Sequence, residues 1–147
     1  MNRTVPLSLK NHLSRATRDA LTSHAGELTS VGVDVVHVAR IDRAIGRGSF
    51  VGHVFTPRES AYARAKARPA ESFAGIFAAK EAVYKAFGLK WDRGFSWKWI
   101  EIVHDEAGAP RVAFANDLVN AWPVLRSRSA AVSISHTAKV AVAVAVA

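Results

Sequence analysis

The most periodic stretch of the chain runs from Glu71 to Phe87. Phe73, Ile76, Phe77, Val83 and Phe87 recur there at helical spacing, and Gly88 follows as a terminator. This pattern predicts the principal helix, with Lys80, Glu81, Tyr84 and Lys85 elsewhere on its wheel. Upstream, Val31 to Val36 is a β-branched run of strand length, and the basic stretch 37–46 reads as a helix ended by a glycine-rich break at Gly46–Gly48. Thr56 before Pro57, with Glu59 three residues on, predicts a capping box that opens a helix to about Ala67, where Pro69 stops it. Downstream, Trp97 to Val103 alternates as a strand. Asp105 to Pro110 then turns the chain into a second strand, Arg111 to Ala115, and Asn116 caps a short helix to about Arg126. Ala130–Ser135 and Val140–Val146 form a closing hairpin turned at His136–Lys139. In its last strand valines occupy one face and alanines the other. One face is expected to pack on a helix, and the other to lie against something very close, a neighbouring strand layer or another subunit. Strand, helices, hairpin, helix, hairpin is an α+β order, with a mainly antiparallel sheet packed on helices.

The chain has 147 residues, the length of one domain, and half of them are apolar. Residues 1–29 differ from the rest: they are rich in Ser, Thr, Arg and His and lack the apolar centre of a secretory signal. They are expected to form a flexible or loosely helical extension, leaving 30–147 as the domain. No cysteine is present, which excludes disulfides, thiolate catalysis and cysteine-ligated metal sites. The longest uninterrupted apolar run, Val140 to Ala147, is far short of a membrane span, and a cytoplasmic location is expected. Twenty Lys and Arg against twelve Asp and Glu leave a net charge of +8. The excess concentrates in residues 37–70, where Arg40, Arg43, Arg47, Arg58, Arg64, Lys66 and Arg68 face only Asp42 and Glu59. Such clustering favours an acidic partner.

Three features carry chemistry. Asp34 interrupts an apolar strand; either the strand lies at an edge where the carboxylate reaches water, or a cation compensates it. The neighbouring valines favour a central strand. Glu81 and Lys85 are four residues apart on one helix face, an arrangement worth about 0.2–0.5 kcal/mol as a plain ion pair. On a helix apolar on nearly all sides, a strand carboxylate and a helix carboxylate flanked by lysines would also hold a hard divalent cation that grips a phosphate. Finally, His136 closes Ser133-Ile-Ser-His-Thr137 as a turn residue or a phosphate donor.

Gly32-Val-Asp34, Phe55-Thr-x-x-Glu59, Phe77-Ala-Ala-Lys-Glu-Ala-x-x-Lys-Ala86 and Ser133-x-Ser-His-Thr137 occur in this order over residues 30–146. Together they resemble the holo-acyl-carrier-protein synthase family, the short type of 4′-phosphopantetheinyl transferase. The resemblance implies transfer of the phosphopantetheine arm of coenzyme A to a serine of an apo acyl carrier protein, with release of adenosine 3′,5′-bisphosphate. By the same resemblance Asp34 and Glu81 bind Mg2+, Lys85 lies by the pyrophosphate, and Lys80 and His136 contact coenzyme phosphates. The resemblance further implies that Arg40, Arg43 and Arg47 on the helix after the first strand dock an acidic carrier protein, and that the enzyme is a homotrimer with sites between subunits, which would give the all-alanine face of the last strand a neighbour. Two positions depart from the family pattern. Ile76 stands where members carry an arginine, and Gly88-Leu-Lys-Trp-Asp-Arg-Gly94 replaces a Gly-Thr-Gly loop, making Lys90 and Arg93 candidates for the missing charge. The rival readings are a carrier-protein adaptor without catalysis and a basic nucleic-acid-binding module. Against the latter, Trp91, Trp97 and Trp99 lie apart from the arginine-rich segment instead of interleaving with it.

Overall fold

In the computed structural model, residues 30–91 and 94–147 are described, and the expected N-terminal extension lies outside them. The chain runs β1 (Val31–His37), α1 (Val38–Ile45), α2 (Ser49–Val54), α3 (Pro57–Arg64) and α4 (Pro69–Ala86). After these come β2 (Ile100–His104), β3 (Pro110–Phe114), α5 (Asn116–Ala121), β4 (Ala131–His136) and β5 (Val140–Val146). Two 3-10 turns, Trp97–Trp99 and Pro123–Ser127, precede β2 and follow α5. The strands form two antiparallel sheets, one of order β1-β5-β4 and the other the β2-β3 hairpin.

Helix α4 is the centre of the fold, packed against β1, β5 and β4 on one side and against α1, α3 and β2 on others. Its surface is mostly small: Ala74, Gly75, Ala78, Ala79, Ala82 and Ala86 are all buried. Small side chains let neighbouring backbones approach, and β1 uses this fully. Gly32 lies so close to α4 that a Cβ there would come within 1.9 Å of the Ala82 carbonyl oxygen. The alanines of β5 complete the close contact, with Ala141, Ala143 and Ala145 at 1% exposure or less.

The assignment of the two faces of β5 is thereby corrected. Its alanine face packs on the helix of its own chain, because only methyl groups fit beneath α4. The valine face is the open one. With Val31 at 61%, Val33 at 49%, Val35 at 60% and Val144 at 37% exposure, the sheet presents an apolar surface to the outside. Among the described residues β1 is also an edge strand and not a central one, since it pairs there with β5 alone.

The capping box forms as expected: the Thr56 hydroxyl accepts from the Glu59 N–H at 3.2 Å, and the Glu59 carboxylate accepts from the Thr56 N–H at 2.8 Å. Other local expectations shift. α3 ends at Arg64, and α4 begins at Pro69, with Pro in its first turn. Trp97–Trp99 coils before the strand starts at Ile100, since the Ser96 hydroxyl accepts from the Lys98 N–H and holds a tight turn. Pro123 divides the helix expected to reach Arg126 into α5 and a 3-10 turn. α2 was not expected; it is short, follows a left-handed Gly48 and contains Gly52, so its sequence carries little helical signal.

Candidate active site

Asp34 stands on the face of β1 that turns towards α4, the same face as Gly32 and Val36. Its side chain is 15% exposed, and Lys85 reaches it from the last turn of α4 with Nζ 2.6 Å from Oδ1. The Lys85 ammonium also donates to the Val33 carbonyl at 3.2 Å. The cost of an acid within a valine strand is thus met by a cation, even though the strand is an edge.

Glu81 joins this pair from one turn before Lys85. Burial raises its carboxyl above the ordinary range, and the negative charge of Asp34 raises it further, while Lys85 and Arg40 pull it down. Two facts follow. The carboxylates of Asp34 and Glu81 are near enough to repel, and Arg40 of α1 is near enough to be felt. Asp34, Glu81, Lys85 and Arg40 therefore form one charged cluster where β1, α1 and α4 meet. Among the described residues no three or more His, Asp or Glu side chains are grouped closely enough to hold a metal ion by themselves. The donor set here is two carboxylates, which suits Mg2+, an ion that commonly takes one or two protein carboxylates and fills its remaining positions with water and phosphate oxygens.

The expectation for Lys80 is corrected. Its side chain is fully buried, and Nζ lies 2.7 Å from Glu59 Oε2, 2.9 Å from the Val54 carbonyl and 3.0 Å from the Trp97 carbonyl. An ammonium has three donors, and all are engaged inside the core. Lys80 is unavailable to a coenzyme phosphate because it faces α3 and β2, away from the surface. Burial pushes the Glu59 carboxyl up and the Lys80 ammonium down, and their mutual attraction opposes both movements.

His136 lies elsewhere. Its Nδ1 is 3.3 Å from Glu71 Oε2, near the start of α4, and Arg68 reaches Oε1 of the same carboxylate at 3.1 Å. Glu71 and Glu81 are ten residues apart on one helix, which at 1.5 Å per residue is about 15 Å. One chain therefore does not bring His136 to the Asp34–Glu81 cluster. His136 instead borders a cleft of about 190 Å3 lined by Tyr62, Ser72, Ile76, His104 and Ile134 among others. Tyr62 and His104 stack at 3.9 Å on its wall, and burial with the nearby Lys66 charge lowers the His104 imidazole. Ile76, at 1% exposure, adds no charge to this cleft.

Arg40 and Arg43 are exposed on α1, while Arg47 is exposed in the turn beyond Gly46, so the expected three-arginine helical face is two helical arginines extended by a turn. Lys90 is exposed past the end of α4, and Arg93 lies outside the described residues. Nothing in the residue pattern signals the Glu71 bridge between Arg68 and His136. It marked Glu59 only as a capping residue, although an acid at a helix start and a lysine on an apolar helix were both visible.

A strand carboxylate and a helix carboxylate are thus set against a lysine, beside a helix sunk into an antiparallel sheet. The 4′-phosphopantetheinyl transferase superfamily model matches residues 30–145. The holo-[acyl-carrier-protein] synthase of Moorella thermoacetica is 40% identical over 119 residues, 80% of this chain and 92% of the relative. That of Koribacter versatilis is 37% identical over 118 residues, 79% of this chain and 94% of the relative. Among solved structures, the holo-[acyl-carrier-protein] synthase of Neisseria meningitidis superposes with a TM-score of 0.71 at 28% identity, covering 81% of this chain and 97% of that one. The Helicobacter pylori holo-[acyl-carrier-protein] synthase in complex with coenzyme A gives 0.68 at 30% identity, covering 80% and 99%. The chain belongs to the 4′-phosphopantetheinyl transferase superfamily and is an enzyme of its holo-[acyl-carrier-protein] synthase class.

Proposed function

We propose that the chain transfers the 4′-phosphopantetheine arm of coenzyme A to a serine of an acidic apo acyl carrier protein, in the cytoplasm and with Mg2+. The carrying observation is the Asp34–Glu81 carboxylate pair closed by Lys85 at 2.6 Å. In the reaction the serine oxygen attacks the phosphorus that bears the pantetheine arm. The pyrophosphate P–O bond breaks, adenosine 3′,5′-bisphosphate leaves with its electrons, and the serine proton passes to solvent or to a nearby base. Asp34 and Glu81 would hold the metal, which, when bound, supplies positive charge to the pyrophosphate. Lys85, about half exposed beside them, is placed to offset charge on the departing phosphate. The serine proton has two acceptors open to it, a water on the metal side and the Glu81 carboxylate.

Arg40 supports the docking reading because it connects the basic helix electrically to Glu81. An acidic carrier seated on Arg40, Arg43 and Arg47 would bring its serine to the carboxylates. The separation of His136 from that cluster supports a site completed by a second copy, and the exposed valine face supports the homotrimer that would supply it. In that reading His136, with Lys90 and Arg93, offers charge to the coenzyme phosphates across a subunit boundary.

The test is to incubate the protein with Mg2+, coenzyme A and a panel of apo carrier proteins and to read the intact mass of each. A phosphopantetheine-sized gain that disappears with chelator and in Glu81→Ala supports the reading. No gain on any carrier overturns it.

A further inference from the structure

The surface of α4 poses a mechanical problem. Its buried positions include Ala74, Gly75, Ala78, Ala79, Ala82 and Ala86, and the two strands beneath it contribute Gly32 from β1 and three alanines from β5. Phe73, Ile76 and Val83 are also buried on α4, but where it meets β1 and β5 the ridges are methyl groups and hydrogens, so packing on that side does little to stop the helix turning about its axis or sliding along it. Yet Glu81 belongs to the transfer cluster only if α4 is held at one rotation. No side chain caps the N-terminus of α4 to fix it there.

Directional bonds to the far side of the helix supply what packing lacks. Lys80 precedes Glu81 and projects about 100° from it around the axis. Its ammonium is held by three oxygens from three separate places: Glu59 on α3, Val54 at the end of α2 and Trp97 in the turn before β2. Glu59 is fixed in turn, since Oε1 accepts from the Ile102 N–H at 2.7 Å and Oε2 from the Thr56 N–H at 2.8 Å. Thr56 passes the chain on to Glu101, to which its hydroxyl donates at 2.6 Å. Every acceptor of Lys80 thus sits on structure outside α4. A buried ion pair is a poor way to gain stability, because apolar residues of similar volume often serve as well; its better-attested use is to fix registry.

We propose that Lys80 and Glu59 are positioning residues for the transfer reaction: their buried pair sets the rotation and height of α4, and so places Glu81 opposite Asp34. The inference rests on the reading of Asp34 and Glu81 as the transfer site, and it assigns Lys80 a role through Glu81 and not through the substrate.

The test uses the full chain and two variants. Glu59→Asp keeps both charges but withdraws the carboxylate by one methylene. The double variant Glu59→Met with Lys80→Met replaces the pair by apolar side chains of similar length and guards against a loss that is only a folding defect. Each is measured for transfer kinetics, for thermal unfolding, and for Mn2+ binding by the electron paramagnetic resonance signal of the free ion. Expected are a drop in kcat of about 10- to 100-fold in both variants and several-fold weaker Mn2+ binding, with the KM for the carrier protein unchanged. The double variant should show these losses even where it melts as high as the unaltered protein. Unchanged kcat and Mn2+ affinity in either folded variant, or losses that only follow the melting temperature, overturn the proposal. An unaltered protein that modifies no carrier overturns instead the transfer reading, and the positioning role with it.

Discussion

Lys85 Nζ and Asp34 Oδ1 lie 2.6 Å apart, a contact between the last turn of the central helix and an edge strand 51 residues earlier. Lys85 is about half exposed, so the contact contributes less than about 1 kcal/mol to stability. Its value lies in what it holds together. Asp34→Asn should leave the melting temperature nearly unchanged and lower transfer by about 100-fold or more. Unfolding by circular dichroism and carrier modification by intact mass, run on one preparation, check both halves.

Glu81 carries the opposite signature. Its folded carboxyl titrates above the ordinary value, because it is partly buried and faces Asp34. A group raised in this way favours the folded state fully below its unfolded value near 4.5, and that contribution is lost as the pH rises through the folded value. Without divalent cation, Glu81→Gln should therefore melt higher than the unaltered protein at pH 8, with the difference closing as the pH falls below 4.5. A variant that is both more stable and inactive is the expected result of removing a group kept for chemistry. Melting curves in chelator between pH 4 and 8 measure it.

Gly32→Ala tests the closeness of β1 to α4. The new methyl group would lie 1.9 Å from the Ala82 carbonyl oxygen and 2.7 Å from the Ala86 nitrogen. Both are backbone atoms and cannot swing aside, so strand and helix must separate. Destabilisation of about 3 kcal/mol or more is expected in urea titration, with activity lost because Asp34 moves with the strand.

Charge reversal on α1 separates docking from chemistry. Arg40→Glu should damage both, since Arg40 lowers the Glu81 carboxyl. Arg43→Glu, exposed and one turn away, should raise the KM for the carrier with kcat nearly unchanged, and the defect should shrink in high salt. Steady-state kinetics at two ionic strengths distinguish the two arginines.

Val33→Arg places a charge in the middle of the exposed valine face. Sedimentation should show smaller particles than for the unaltered protein, and transfer should fall with the loss of assembly even though Asp34, Glu81 and Lys85 are untouched.

Much of this architecture was legible in residue types. Thr56, Pro57 and Glu59 announce a helix start by chemistry local to four residues, and the periodicity of α4 is long enough to survive its polar interruptions. The misses at Lys80 and β5 share one physical reason: burial is not written in a residue's identity. Lys80 looks like a surface cation until Glu59, 21 positions earlier, is known to lie beneath it. The alanines of β5 were assigned to the wrong neighbour because small side chains mark a close contact without naming its partner. Asp34, Glu81 and Lys85 stand near one another in the fold, and each stood out in the sequence because a strand acid and a helix acid–base pair are anomalous alone. His136 was not joined to them, and distance along α4 explains why.

The division of labour along β5 has a consequence for the life of the molecule. By giving its methyl groups to the helix and its isopropyl groups to the outside, the strand leaves a newly made chain finished on one side and adhesive on the other. In the assembly proposed above, such a chain would have no single intrinsic stability, because the value would depend on how many of its kind are nearby. Dilution should make it fragile and abundance should make it durable, so that the amount produced sets the lifetime of each copy.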